Sequence, residues 1–84
     1  MKILHLLRTS GDTRALATAA AQAKTHEVSL LLLHDAVLDD VSFAGPLYAC
    51  RDDAAARNGR GHAHLVDYDD IVRLIFAHDR VISW

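Results

Sequence analysis

Eighty-four residues, 51% of them hydrophobic and 24% charged, describe one folded domain near the lower limit of independent stability. A formal charge of -2 removes any overall pull toward nucleic acid or an anionic membrane surface. The single cysteine excludes an internal disulfide and a CxxC metal or redox pair, and no stretch approaches the roughly 18 apolar residues of a membrane span.

Met1 to Arg8 has the apolar look of a secretory leader, but His5 interrupts it and Arg8 stops it. No small-residue cleavage pattern follows, so the expected compartment is the cytoplasm, where a lone thiol stays reduced. Ile3 to Leu7 reads as a strand, and Arg8-Thr9-Ser10-Gly11-Asp12 as a turn in which Ser10, Asp12 or Thr13 can cap a helix. Leu16, Ala19, Ala20 and Ala23 recur at helical spacing, which predicts a helix from Arg14 to about Lys24 lying close to a sheet. Val28 to Leu33 is the most apolar run, continuous rather than alternating, as in a parallel strand buried on both faces. It ends at His34-Asp35, and Ala36 to Phe43 reads as a helical turn plus loop.

After Gly45-Pro46, Leu47-Tyr48-Ala49 forms a short third strand ending at Cys50. Asp52 to Arg57 is an alanine-rich helix stopped by Asn58-Gly59. Ala63 to Val66 is a fourth strand. Asp67 caps the next helix, with Asp69 and Asp70 in its positive first turn. Tyr68, Ile71, Val72, Ile75 and Phe76 follow the i, i+3, i+4, i+7, i+8 pattern and define its expected buried face. Val81 to Trp84 closes the chain as an edge-like strand.

Strands and helices thus alternate through residues 1–84 as one domain, which predicts a small three-layer α/β/α sandwich around a mostly parallel five-stranded sheet, with right-handed crossovers. In such sheets chemistry gathers beyond the carboxyl ends of the strands. Those ends are Arg8-Thr9-Ser10, His34-Asp35, Cys50-Arg51 and Asp67-Tyr68, so Cys50 falls on the working edge. A helix start and Arg51 favour its thiolate, His34 adds to them if the second and third strands end together, and Asp52 and Asp53 oppose. The plainer reading of a lone strand-end cysteine is a small buried hydrophobe.

His62-X-His64 puts two imidazoles on one strand face, but two ligands without a third make no metal site, and a solvated pair is the simpler account. His5 reads as a core or sheet-face residue, and His78 as a cation complementing a helix carboxyl end. Asp67, Asp69 and Asp70 read as cap and first-turn acids rather than as a cation site. Ser10-Gly11-Asp12 lacks the further glycines of a dinucleotide fingerprint and the lysine of a P-loop, which leaves capping as its role.

Several stretches together resemble the DsrE/DsrH/TusB family of sulfur-relay proteins, the DsrH/TusB branch most closely. They are Leu4-His5-Leu6-Leu7-Arg8-Thr9-Ser10, Leu30 to Val37, Leu47 to Arg57, and Val66-Asp67-Tyr68-Asp69-Asp70-Ile71-Val72-Arg73-Leu74, with the terminal Trp84. The resemblance spans nearly the whole chain. It implies an α/β/α sandwich that associates with homologous small subunits, as a homo- or hetero-oligomer. It also implies persulfide sulfur passed between cysteines, toward 2-thiolation of a tRNA wobble uridine or in sulfur oxidation. The DsrE/TusD-type subunit carries that sulfur on a strand-end cysteine, near whose position Cys50 falls. The TusB-type subunit is often a companion without a catalytic cysteine, and the cysteine that some DsrH proteins hold near the amino-terminal loop has no counterpart here.

Two expectations follow. In one, Cys50 is a sulfurtransferase-like persulfide carrier, with Arg8, Ser10, His34, Asp35 and Arg51 lining its approach. It needs a cysteine-bearing sulfur donor or acceptor protein, no metal or organic cofactor, and no direct contact with nucleic acid or membrane. In the other, the chain is a non-catalytic structural subunit. A third reading, a flavodoxin-like domain binding a small ligand at the strand ends, is weakened by the missing phosphate loop.

Overall fold

The computed structural model describes residues 1–59 and 61–84. Its elements in chain order are β1 (Lys2–Leu7), α1 (Thr13–Gln22), β2 (Glu27–Leu32), a 3-10 helix (His34–Leu38), β3 (Leu47–Cys50), α2 (Arg51–Arg57), β4 (His64–Val66), α3 (Tyr68–Ala77) and β5 (Arg80–Ser83). The five strands form one sheet in the order β4-β3-β2-β1-β5, and every pairing is parallel. The expected architecture is therefore present, with an all-parallel sheet where a mostly parallel one was predicted. Val81 and Ile82 lie in an edge strand, as their position suggested.

The connections from β1 through β4 step steadily in one direction, and the last returns past the start to set β5 beside β1. Crossovers of one hand then put α1, the 3-10 helix and α2 on one face and α3 alone on the other. Two core clusters record this division. Ile3, Leu7, Val28, Leu30, Leu32 and Ala49 pack with Ala15 and Ala19 of α1, Ala36 and Val37 of the 3-10 helix and Ala54 of α2. Leu4, Leu31, Cys50 and Val66 pack with Ile71 of α3. The strand β2 is buried from Val28 to Leu32, which explains its unbroken apolar sequence.

Local signals account for most helix ends. The Asp12 carboxylate accepts the Ala15 N–H at 3.0 Å and starts α1. Asp67 starts α3 through a capping box, its carboxylate taking the Asp70 N–H at 2.9 Å while Asp70 reaches back to the Asp67 N–H. Asn58 ends α2 in the left-handed conformation at φ 54°.

Two helix faces differ from expectation. On α1 the buried pair is Ala15 and Ala19, whereas Ala20 and Ala23 are exposed. The larger correction concerns α3. Of its expected buried stripe only Ile71 is inside, while Tyr68, Val72 and Phe76 are exposed and Ile75 is more than a third exposed. The helix turns Ile71 and Leu74 to the sheet instead. It is apolar on more than one side, so periodicity alone could not choose the inward one.

Candidate functional site

The carboxyl edge of the sheet runs, in strand order, from Val66-Asp67 through Cys50-Arg51 and Leu32 to Leu7-Arg8 and finally Ser83-Trp84. Cys50 is the last residue of β3 and the N-cap of α2. Its side chain does not open onto that edge. It is 3% exposed and packs beneath α3 among Leu4, Leu31, Val66 and Ile71. Pleat parity explains the difference: Ala49 faces α2 and the 3-10 helix, so Cys50 must face α3.

The five expected lining residues do sit at or just beyond this edge, and four of them, Arg8, Ser10, His34 and Asp35, are held by a neighbour. Arg8 donates Nε–H to the Trp84 carbonyl oxygen at 3.0 Å. Ser10 donates its hydroxyl to Asp39 Oδ1 at 2.6 Å, and the Gly11 N–H donates to Asp39 Oδ2 at 2.9 Å. Asp35 accepts from Arg57 Nε at 3.0 Å. His34 adopts a left-handed φ of 50°, rare for a residue with a side chain, and its N–H donates to Asp53 Oδ2 at 2.8 Å. His34 and Cys50 follow neighbouring strands, but the bond that fixes His34 is made by its backbone.

Arg51 is exposed, and together with Arg73 it helps hold the Asp67 carboxyl below the ordinary carboxylate range. The larger cause there is the Asp70 backbone N–H that the carboxylate accepts, against a smaller opposing desolvation. The organising groups on this edge are therefore carboxylates: Asp39, which the sequence did not single out, and Asp53, which it placed only as a charge opposing the Cys50 thiolate. Asp39 directly follows the 3-10 helix and Asp53 lies in the first turn of α2, and only the fold brings Asp39 to the first loop and Asp53 to His34.

The histidines separate. His62 lies outside β4 and meets Asp40 at 3.4 Å, while His64 is in the strand with its ring edge-on to Tyr48. They do not share a strand face. Among the described residues no three His, Cys, Asp or Glu side chains converge as metal ligands would. Among them, too, no helix is long and apolar enough to cross a membrane.

His5 is fully buried on the α1 face, with Nε2 2.6 Å from Gln22 Oε1 and Nδ1 accepting the Trp84 indole N–H at 2.8 Å. An indole can only donate, so Nδ1 is the acceptor and Nε2 carries the proton toward Gln22. The His5 and Trp84 rings also stack, their centroids 6.0 Å apart.

His78, the C-cap of α3, donates Nδ1–H to the Leu74 carbonyl at 2.6 Å, at the helix carboxyl end where it was expected to act, and also places Nε2 3.2 Å from the Ser29 hydroxyl. Both line a hollow of about 600 Å³ with Lys2, Glu27 and Tyr48, at the amino end of the sheet. A nucleophilic serine needs free N–H groups beside it to stabilise an oxyanion. The Leu30 N–H that follows Ser29 is already given to the Pro46 carbonyl at 3.0 Å. The pair satisfies two inward polar groups on a sheet face.

No family model matches the sequence. No curated protein matches it either. Among solved structures, the chain is similar to one described as the crystal structure of ychN protein from E. coli, with a TM-score of 0.75, 14% identity, and 100% of each chain covered. A likeness at that identity establishes a shared fold, and it agrees with the sandwich described above.

Proposed function

We propose that this chain is a subunit of a sulfur-relay assembly of the DsrE/DsrH/TusB kind, in which it acts as a companion and the reactive cysteine belongs to another protein. The observation that carries the reading is the burial of Cys50, 3% exposed and packed against Leu4, Leu31, Val66 and Ile71. A thiol that exchanges sulfur must meet its partner's sulfur directly. Likeness to ychN over the whole chain is consistent with the family. The assembly's other members are homologous small subunits and a cysteine-bearing donor or acceptor protein, and its sulfur goes to tRNA wobble-uridine 2-thiolation or to sulfur oxidation.

Replacing Cys50 by Ser in the reconstituted assembly, followed by transfer of radiolabelled sulfur, tests this. Transfer at the wild-type rate is expected. A loss of about tenfold or more, with the complex still formed, would transfer the role to Cys50.

One observation favours the second reading, in which Cys50 is the carrier: it ends β3 on the carboxyl edge, directly before the exposed Arg51. In that case its thiolate attacks the outer sulfur of a donor persulfide. The donor's S–S bond breaks as the new one forms, and the donor leaves as a thiolate with no net oxidation. Under native conditions the chain would then gain about 32 Da, reversed by a reducing thiol. In the companion reading the mass is unchanged until the chain is unfolded.

A further inference from the structure

We infer that the hollow at the amino end of the sheet is a binding site for a free α-amino acid with an apolar side chain. This does not depend on the sulfur chemistry proposed above, which concerns the opposite end of the sheet.

The hollow exists because α3 covers its face of the sheet incompletely. Alternate residues of a strand share a face, so Lys2 of β1, Glu27 and Ser29 of β2, and Tyr48 of β3 look to the α3 side with Leu4, Leu31 and Cys50. The helix packs Ile71 over Leu4, Leu31, Cys50 and Val66 and ends at Ala77, where His78 reaches Ser29. Toward the amino ends of the strands the face lies open, as a hollow of about 600 Å³. Small-molecule sites span roughly 300–1,000 Å³. Pro46, Tyr48 and Leu74 give this one an apolar side, and Lys2, Glu27 and Ser29 a polar side.

Hydrogen bonding decides which ligand group the polar side takes. The Leu74 carbonyl only accepts, so a neutral His78 ring keeps its proton on Nδ1 and leaves Nε2 as an acceptor. Ser29 gives its single hydroxyl proton to that nitrogen and turns only lone pairs to the hollow. At 7% exposed, it is a buried polar group held in that state. Glu27, two residues back on the same strand face, adds negative charge, and the pair suits an ammonium. Lys2 stands beside Glu27 in the sheet register, one strand spacing of about 4.8 Å away. Among the described residues neither Lys2 nor Glu27 makes an ion pair. Asp79, another carboxylate near this end, is committed to the Lys2 backbone N–H at 2.8 Å. The hollow thus offers one permanent cation and one carboxylate on adjacent strands. A ligand carrying ammonium and carboxylate on one carbon meets both, and its side chain lies against Tyr48 and Leu74. A phosphate would instead face Glu27 and the Ser29 lone pairs, and a simple amine would leave Lys2 unanswered.

The test uses the full chain with L-phenylalanine and L-leucine as probes in isothermal titration calorimetry. Saturable one-to-one binding is expected. Phenylalaninamide lacks the carboxylate and N-acetylphenylalanine lacks the ammonium, so each should bind about tenfold more weakly than phenylalanine. Lys2→Gln should weaken phenylalanine by about the same factor and leave phenylalaninamide unchanged. Glu27→Gln should likewise weaken phenylalanine and leave N-acetylphenylalanine unchanged. Both positions are exposed, so the circular dichroism of these variants should match the wild type. No saturable binding of either amino acid up to about 10 mM overturns the inference, as does binding that neither substitution alters. Equal binding of the two blocked forms overturns it too, and so does equal binding of a glycine–phenylalanine dipeptide, whose charges sit on different carbons. None of these results bears on sulfur transfer, which is read with Cys50→Ser.

Discussion

Replacing Trp84 by Phe should destabilise the domain out of proportion to the atoms removed. Trp84 is fastened three ways: its N–H donates to the Leu6 carbonyl, its carbonyl accepts from Arg8, and its indole N–H donates to His5. A phenyl ring keeps much of the stacking area and leaves both backbone contacts intact. What disappears is the only donor that faces His5 Nδ1 among the described residues, and His5 is 0% exposed, so water does not replace it. A buried acceptor left unpaired costs about 1–3 kcal/mol. For a domain of this size that lowers the melting temperature by about 5–15 °C. Urea unfolding followed by far-ultraviolet circular dichroism is the suitable assay, because the substitution removes the chain's single tryptophan fluorophore. The double variant His5→Phe with Trp84→Phe removes donor and acceptor together. It should fall short of the summed single effects by about 1 kcal/mol or more. A Trp84→Phe variant within about 0.3 kcal/mol of wild type, or strict additivity in the cycle, would refute the reasoning.

Asp67→Asn should weaken α3 near neutral pH and matter less in acid. The Asp67 pKa is lowered from 3.8 in the folded chain, so its carboxylate contributes fully above 3.8 and ceases to as pH falls through the lowered value. Urea midpoints of the two proteins at pH 7 and at successively lower pH should converge; a constant gap would contradict the cap assignment. Gly45→Ala should cost about 1–3 kcal/mol, because the new Cβ would meet the Val28 carbonyl oxygen at 2.6 Å and the Phe43 ring at 2.8 Å. Thermal unfolding measures it, and a neutral result would mean that the 43–46 turn shifts freely. Ile71→Val should speed native-state labelling of Cys50 about fivefold, from a loss of about 1 kcal/mol in the cover over the thiol. Ile3→Val, on the other face, should not; equal acceleration by both would place the opening in global unfolding.

The elements were legible because their signals are local. The unbroken Val28–Leu33 run could only be a strand buried on two faces, and Asp67 with its acidic first turn marked the start of α3. The alternation of strand and helix then left few arrangements, and the parallel sheet is one of them. What local signals lacked was the rotation of each helix. On α3 the apolar positions occupy most of the circumference, so five residues fitted one stripe, while the sheet kept only Ile71 of them and added Leu74. On α1 an alanine-rich surface offered several equivalent faces, and close approach to the strands selected Ala15 and Ala19.

The same distinction governs the candidate site. Chain order gives the level of Cys50 along the sheet, since it follows the third strand directly, and that level is the carboxyl edge. It does not give the face. A strand of four residues carries only two side chains per face, too few for the sequence to reveal which pair looks toward α3. The register decides: Tyr48 lies beside Leu31, and Ala49 beside Leu32, whose side chain belongs to the α1 face. Cys50 therefore shares its face with Tyr48 and Leu31 and lies under a helix. A one-residue change of parity would have turned it toward α2 and the 3-10 helix, among Ala36, Val37 and Ala54. On either face the thiol meets a packed layer, so exposure of Cys50 requires a helix to move, and here that helix is α3.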